Sequence, residues 1–132
     1  MSNAGRIINI ELLLEQTGNS QDFIKEIFAD FFTEIQEAHF DIKQGLMNKN
    51  IDQIDKAIHR IKGSCSYLGC EKMRAHLVEI DEYIREKKSY TILQSSCPST
   101  FDFVIQHLTN MIYIVFEVDL VEIKQELSKE FP

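Results

Sequence analysis

The sequence predicts an all-α fold: an antiparallel four-helix bundle with a short additional N-terminal helix. Three observations carry this reading. Apolar residues recur at helical spacing along nearly the whole chain. Two prolines, Pro98 and Pro132, and five glycines are the only strong helix breakers in 132 residues. The stretches between periodic segments are short, which makes consecutive helices antiparallel neighbours. A composition of 44% apolar and 27% charged residues suits one soluble domain with a real core.

The elements follow in order. Residues 1–8 are read as a tail, and Ser2-Asn3-Ala4 resembles what a cleaved expression tag leaves behind; the domain is placed at 9–130. A short first helix runs from about Asn9 to Thr17, and Gly18 stops it. Asn19 or Ser20 caps the second helix, with Asp22 in its first turn. Its stripe is Ile24, Phe28, Phe31, Ile35, Ala38, Ile42 and Leu46. Asn50 caps the third helix, with Gln53 completing a capping box, and Gly69 ends it. The fourth helix places Met73, Leu77, Ile80 and Ile84 on one face and fades at residues 87–89. A loop is expected at 90–98. Ser99 and Asp102 start the last helix, whose stripe is Phe101, Val104, Leu108, Met111, Val115 and Val118. Met111 to Val121 is rich in β-branched residues, but helical flanks and the lack of a partner strand keep it helical.

Charge and motifs exclude several function classes. A net charge of −7 disfavours a nucleic-acid binder. The charge is uneven, however: Lys56, Arg60, Lys62, Lys72 and Arg74 face only Glu71 between residues 56 and 74, giving +4 there and −11 elsewhere. Cys65, Cys70 and Cys97 make no even disulfide framework and no C-x-x-C pair. The longest apolar run in the last third, Met111 to Phe116, is too short to span a bilayer, and no secretory leader is apparent. The expectation is a cytoplasmic protein that engages neither membrane nor nucleic acid. Glu-x-x-His pairs for a di-metal bundle are absent, as are glycine-rich phosphate loops, so no metal and no cofactor is expected and the chain is not a self-sufficient kinase.

One segment stands apart. Ile54, Ile58, Ile61, Cys65 and Leu68 share a face of the third helix. His59 is offset from Ile58 by about 100° and points outward. Lys62 and Gly63, three and four residues on, are its neighbours on the helix surface. A glycine inside a helix costs about 1 kcal/mol relative to alanine. His39, His76 and His107 edge apolar stripes without a neighbouring glycine and read as structural. A neutral imidazole is a competent nucleophile near pH 7. Once phosphorylated it needs a compensating cation, which Lys62 supplies, and a bare position at Gly63 admits an approaching partner.

The run from His59 to Gly69 resembles the signature of the histidine phosphotransfer (HPt) domain family, H-x-x-K-G with a further glycine. Ile61, Leu68, Ser64 and Cys65 also suit that pattern, and the helix layout is similar from about Asn9 to Lys129. Ile58 departs from it, since the family often has alanine there. The resemblance implies a phosphorelay module of two-component signalling, a phosphotransfer intermediate rather than an enzyme. His59 would accept a phosphoryl group from a receiver-domain aspartyl phosphate and pass it to another receiver. Lys62 would steady the phosphate charge; Gly63, Arg60 and Ser66 would serve docking; Gly69 would turn the chain. Response-regulator receiver domains and a hybrid sensor kinase are the implied partners, the receiver bringing Mg²⁺ and most catalytic groups to a monomeric module. Two other readings compete: a non-catalytic interaction module using Phe103, Tyr113 and Phe116 on the last helix, and a scaffold for dimerisation of a larger sensor.

Overall fold

The structure, a computed structural model, describes residues 6–87 and 98–132, with side chains from residue 101 onward in the second stretch. The tag-like Ser2-Asn3-Ala4, Cys97 and nearly all of the expected 90–98 loop lie outside these residues. Helix α1 spans Ile10–Gln16, α2 Gln21–Met47, α3 Ile51–Leu68 and α4 Glu71–Lys87. A continuous last rod comprises α5 (Pro98–Tyr113), a π-helical segment (Ile114–Asp119) and α6 (Leu120–Glu130). No strand occurs among the described residues. The fold is the all-α helical bundle expected.

Local chemistry sets the helix ends. The Asn9 side chain accepts from the Leu12 N–H, Ser20 Oγ from the Phe23 N–H, and Asn50 Oδ1 from the Gln53 N–H. Each satisfies an amide that the helix itself leaves orphaned. Gly69 closes α3 in the left-handed conformation, at φ +70°. A Cβ there would also press against Asn9, 3.0 Å away. The Asn9 N–H in turn donates to the Gly69 carbonyl at 2.8 Å, and its side-chain amide to Glu71 at 3.0 Å, so α1 is pinned over the α3–α4 turn. These contacts continue to Arg6, whose carbonyl accepts from the Lys72 N–H.

The core takes the stripes read from the sequence. Ile24, Phe28, Phe31, Ile35, Ala38 and Ile42 of α2 meet Ile54, Ile58, Ile61, Cys65 and Leu68 of α3, the most extensive helix pair. Gly45 permits that approach, since a Cβ there would lie 2.7 Å from Ile54 Cγ1. Met73, Leu77, Ile80 and Ile84 complete the centre from α4.

The last rod corrects the sequence reading. Val118, expected in the core, is 40% exposed, while Phe116, one of the three aromatics the interaction-module reading would expose, is 4% exposed and stacks on His39 with ring centroids 4.1 Å apart. The stripe departs from the expected one at Ile112, buried where Met111 was expected, and from there the buried series runs Leu108, Ile112, Val115, Phe116, Asp119, Ile123. Within it the Leu120 N–H bonds to the Val115 carbonyl, the wider turn of the π-helical segment. By length and composition alone, Phe101–Glu130 could also cross a membrane. Seven of its apolar side chains line the bundle core, while Phe103, Tyr113, Ile114, Val118 and Val121 are exposed.

Candidate functional site

Helix α3 buries one face completely and turns His59 out from near its middle. Ile58 and Ile61 on either side are fully buried, whereas the His59 side chain is 49% exposed. Facing it from α4 is Asp81, only 5% exposed. His59 Nε2 stands 3.0 Å from Asp81 Oδ1 and 3.4 Å from Oδ1 of Asp55, one turn earlier on α3. Lys62 and Arg85 both reach the other oxygen of Asp81, each at 3.0 Å. Burial alone would raise the Asp81 carboxyl. The hydrogen bond from Lys62 and the charges of His59, Lys62 and Arg85 outweigh it and hold the group below the usual carboxylate range.

Lys62 is thus part of the site, but its side chain is only 23% exposed and its ammonium is already engaged. An ammonium has three donors, so the bond to Asp81 leaves two for another anion. Gly63 lies on the exposed side, and a Cβ added there would meet nothing within 4 Å. Nothing inside the fold requires that glycine, in contrast to Gly45 and Gly69. Arg60 donates to Asp41 at 2.9 Å, and the Ser66 hydroxyl accepts from Arg74 at 2.6 Å. The basic island is therefore largely paired, with Lys72 on Glu122 as well.

Beside Gly63 runs a groove of about 470 Å³ between α2 and α3, lined by Ile27, Phe31, Tyr67 and Leu68 with Asp30, Glu34, Arg60 and Ser64. His59 stands beside this groove rather than in it.

Asp55, His59 and Asp81 place three metal-ligand atoms within 4.8 Å of one another. Lys62 and Arg85 already compensate Asp81, which opposes a further cation there. The expected structural histidines are placed as follows: His39 stacks on Phe116, His76 binds Asp119 of the π-helical segment, and His107 lies against the Tyr83 ring at 4.5 Å. Asp81 is the residue that sequence reasoning missed. Its one local signal was an acid set between Ile80 and Ile84, beside the apolar stripe.

An all-α bundle that presents one half-exposed histidine, with a lysine and a bare glycine one turn along, defines a class of protein. Comparison with known families gives the same answer: the Hpt domain matches residues 26–127. The chain belongs to the Hpt domain family. It is 22% identical over 96 residues to histidine-containing phosphotransfer protein 1 of Oryza sativa subsp. japonica, a match covering 71% of this chain. That match spans 62% of the relative's length. No solved structure matches the chain.

Proposed function

We propose that this chain is a phosphorelay intermediate in which His59 carries the phosphoryl group. The observation that carries this reading is the half-exposed imidazole between Asp81 and Lys62, next to a glycine that the fold does not need. In the forward step a ring nitrogen attacks the phosphorus of a receiver-domain aspartyl phosphate. The N–P bond forms, the P–O bond to the aspartyl carboxylate breaks, and the carboxylate leaves with the electron pair. The reverse sequence delivers the group to a second receiver. Lys62 turns its free donors toward the phosphoryl oxygens while keeping Asp81.

The receiver docks over Gly63 and along the α2–α3 groove, where exposed Tyr67 and the apolar floor of Phe31 and Leu68 supply contact area. The docking roles of Arg60 and Ser66 are indirect here, since each is held by a partner within the chain. The receiver supplies Mg²⁺ and most catalytic groups, and a hybrid sensor kinase supplies the phosphoryl group upstream. The setting is a monomeric module in the cytoplasm. The test is incubation with a phosphorylated receiver. The expected result is acid-labile, alkali-stable label on the chain, and full labelling of a His59→Gln variant would overturn the assignment.

A second reading has its own observation. Phe103 and Tyr113 are strongly exposed on α5, and Ile114, Val118 and Val121 extend an apolar surface along the rod. A non-catalytic interaction module would use that surface, and partner binding unaffected by His59→Gln and Lys62→Ala would support it.

A further inference from the structure

We propose that the α2 wall of the docking groove selects among receivers by charge: a receiver that uses this site presents lysine or arginine side chains beside the apolar group it seats on Phe31 and Leu68. This rests on the phosphorelay reading above and specifies the chemistry of the partner's docking surface.

Every acid of α2 lies on one stripe. Asp22, Glu26, Asp30, Glu34, Glu37 and Asp41 recur at steps of four, four, four, three and four, which confines them to about 120° of the helix circumference. The two lysines of α2 lie off that stripe. Lys25 donates to the Pro132 carbonyl, and Lys43 lines a small pocket with His39 and Phe116. The acidic stripe borders the groove, where Asp30 and Glu34 stand across from Tyr67 and Leu68 of α3.

The ends of the stripe have reasons inside the fold. Asp22 sits in the first turn of α2, where the helix dipole favours an anion. Asp41 is bonded to Arg60. The middle lacks such reasons. Glu34 accepts a hydrogen bond from Ser64, but Glu26, Asp30 and Glu37 make no hydrogen bond or ion pair among the described residues. Carboxylates four positions apart on a helix repel, and Glu26, Asp30 and Glu34 form two such pairs in succession. Arg60, the one cation lining the groove, is turned to Asp41 and does not relieve them. An apolar groove with an uncompensated anionic edge fits a partner surface of the opposite sign. Exposed charge pairs add little to affinity, but they speed encounter and penalise a partner that brings like charge to the same edge. The groove supplies contact area through Phe31, Leu68 and Tyr67, and the stripe decides whose apolar group enters it.

The test uses the full chain and a set of receiver domains charged with acetyl phosphate in the presence of Mg²⁺. Glu26→Gln, Asp30→Asn and Glu34→Gln combined remove three charges and leave an acceptor for Ser64. With the receiver that labels wild type fastest, this variant should label roughly five- to tenfold more slowly at low salt and nearly as fast as wild type at about 0.5 M salt. Its melting temperature should hold or rise, because the removed charges repel one another. Glu117→Gln, Glu126→Gln and Glu130→Gln combined take the same charge from the last rod and should label like wild type. Asp30→Lys should slow labelling further, and glutamate at one of the receiver's own lysine or arginine positions should restore it. An unchanged rate in the α2 variant, equal slowing in both triple variants, or no restoring position on the receiver overturns the proposal and leaves the phosphorelay reading standing. A lowered melting temperature with slowing that persists at high salt makes the stripe structural and overturns it too. No label on wild-type His59 from any receiver removes both.

Discussion

Two histidine–aspartate pairs cross this bundle, and they are built in opposite ways. His59 of α3 meets Asp81 of α4, whose second oxygen also takes Lys62 and Arg85. His76 of α4 meets Asp119 of the π-helical segment at 2.5 Å, and the second oxygen of Asp119 is buried with no hydrogen-bond partner among the described residues. The carboxyl groups respond accordingly. Cations hold Asp81 below the usual range despite its burial. Burial raises Asp119 above it, against the opposing pull of the His76 hydrogen bond and the charges of His76 and Lys72. The first pair has its buried carboxylate compensated by two cations and has an exposed ring. The second is a strut that ties the π turn to α4. The residue pair alone therefore does not mark a site; its compensation and its exposure do.

The largest expected effect separates the pairs by chemistry. His59→Gln should abolish phosphoryl labelling by a charged receiver, while His76→Gln should still label. Equal loss in both variants would erase the distinction and point to a folding defect common to both. Circular dichroism on the same samples checks that.

A second contrast lies in the pH dependence of stability. Asp81 has a lowered carboxyl in the fold, so its contribution is present above the ordinary value of about 3.9 and is lost as pH falls below it. Asp119 has a raised carboxyl, so the folded chain holds that proton more tightly than the unfolded chain does. Its effect is a gain in stability as pH falls toward about 4 from above. In urea titrations the gap between wild type and Asp119→Asn should widen on acidification from neutrality. The gap between wild type and Asp81→Asn should narrow, and only below about pH 4. Parallel curves for the two variants would mean that the two carboxylates are not differently compensated.

What the sequence revealed follows the range of the forces involved. Ser20, Asn50 and Gly69 were legible because a cap is decided within three or four residues. The α3 stripe was legible because every apolar position on it points into the same core. Asp81 was not, because its meaning comes from His59 and Lys62, about twenty positions away on another helix. The shift from Val118 to Asp119 was also hidden. Met111 and Ile112 are both apolar, and nothing in the local pattern says which of the two faces the core and so sets the phase of the stripe beyond them.

A smaller effect concerns the cation of the first pair. Lys62→Ala leaves Asp81 with Arg85 and His59, so the cost to stability should stay near 1 kcal/mol. Transfer from the receiver should slow, or the phosphohistidine should decay sooner, measured as label remaining against time. A large loss of stability with unchanged transfer would place Lys62 with the struts instead.

The smallest effect is the most pointed, because its sign differs between two assays. Gly63 sits on an exposed helical face with open space around its Cα. Gly63→Ala removes the conformational freedom of glycine in the unfolded chain and adds a methyl that meets no neighbour in the fold. The variant should be more stable by about 0.5–1 kcal/mol. On the docking proposed above, the same methyl projects into the space that the receiver enters, so affinity for the receiver should fall, and fall further in Gly63→Leu. Raised thermal stability together with weakened binding in a titration is the signature of a position kept bare for a partner. Raised stability with intact binding would leave that glycine unexplained by docking, and the open side of the His59 pair would then have no assigned use.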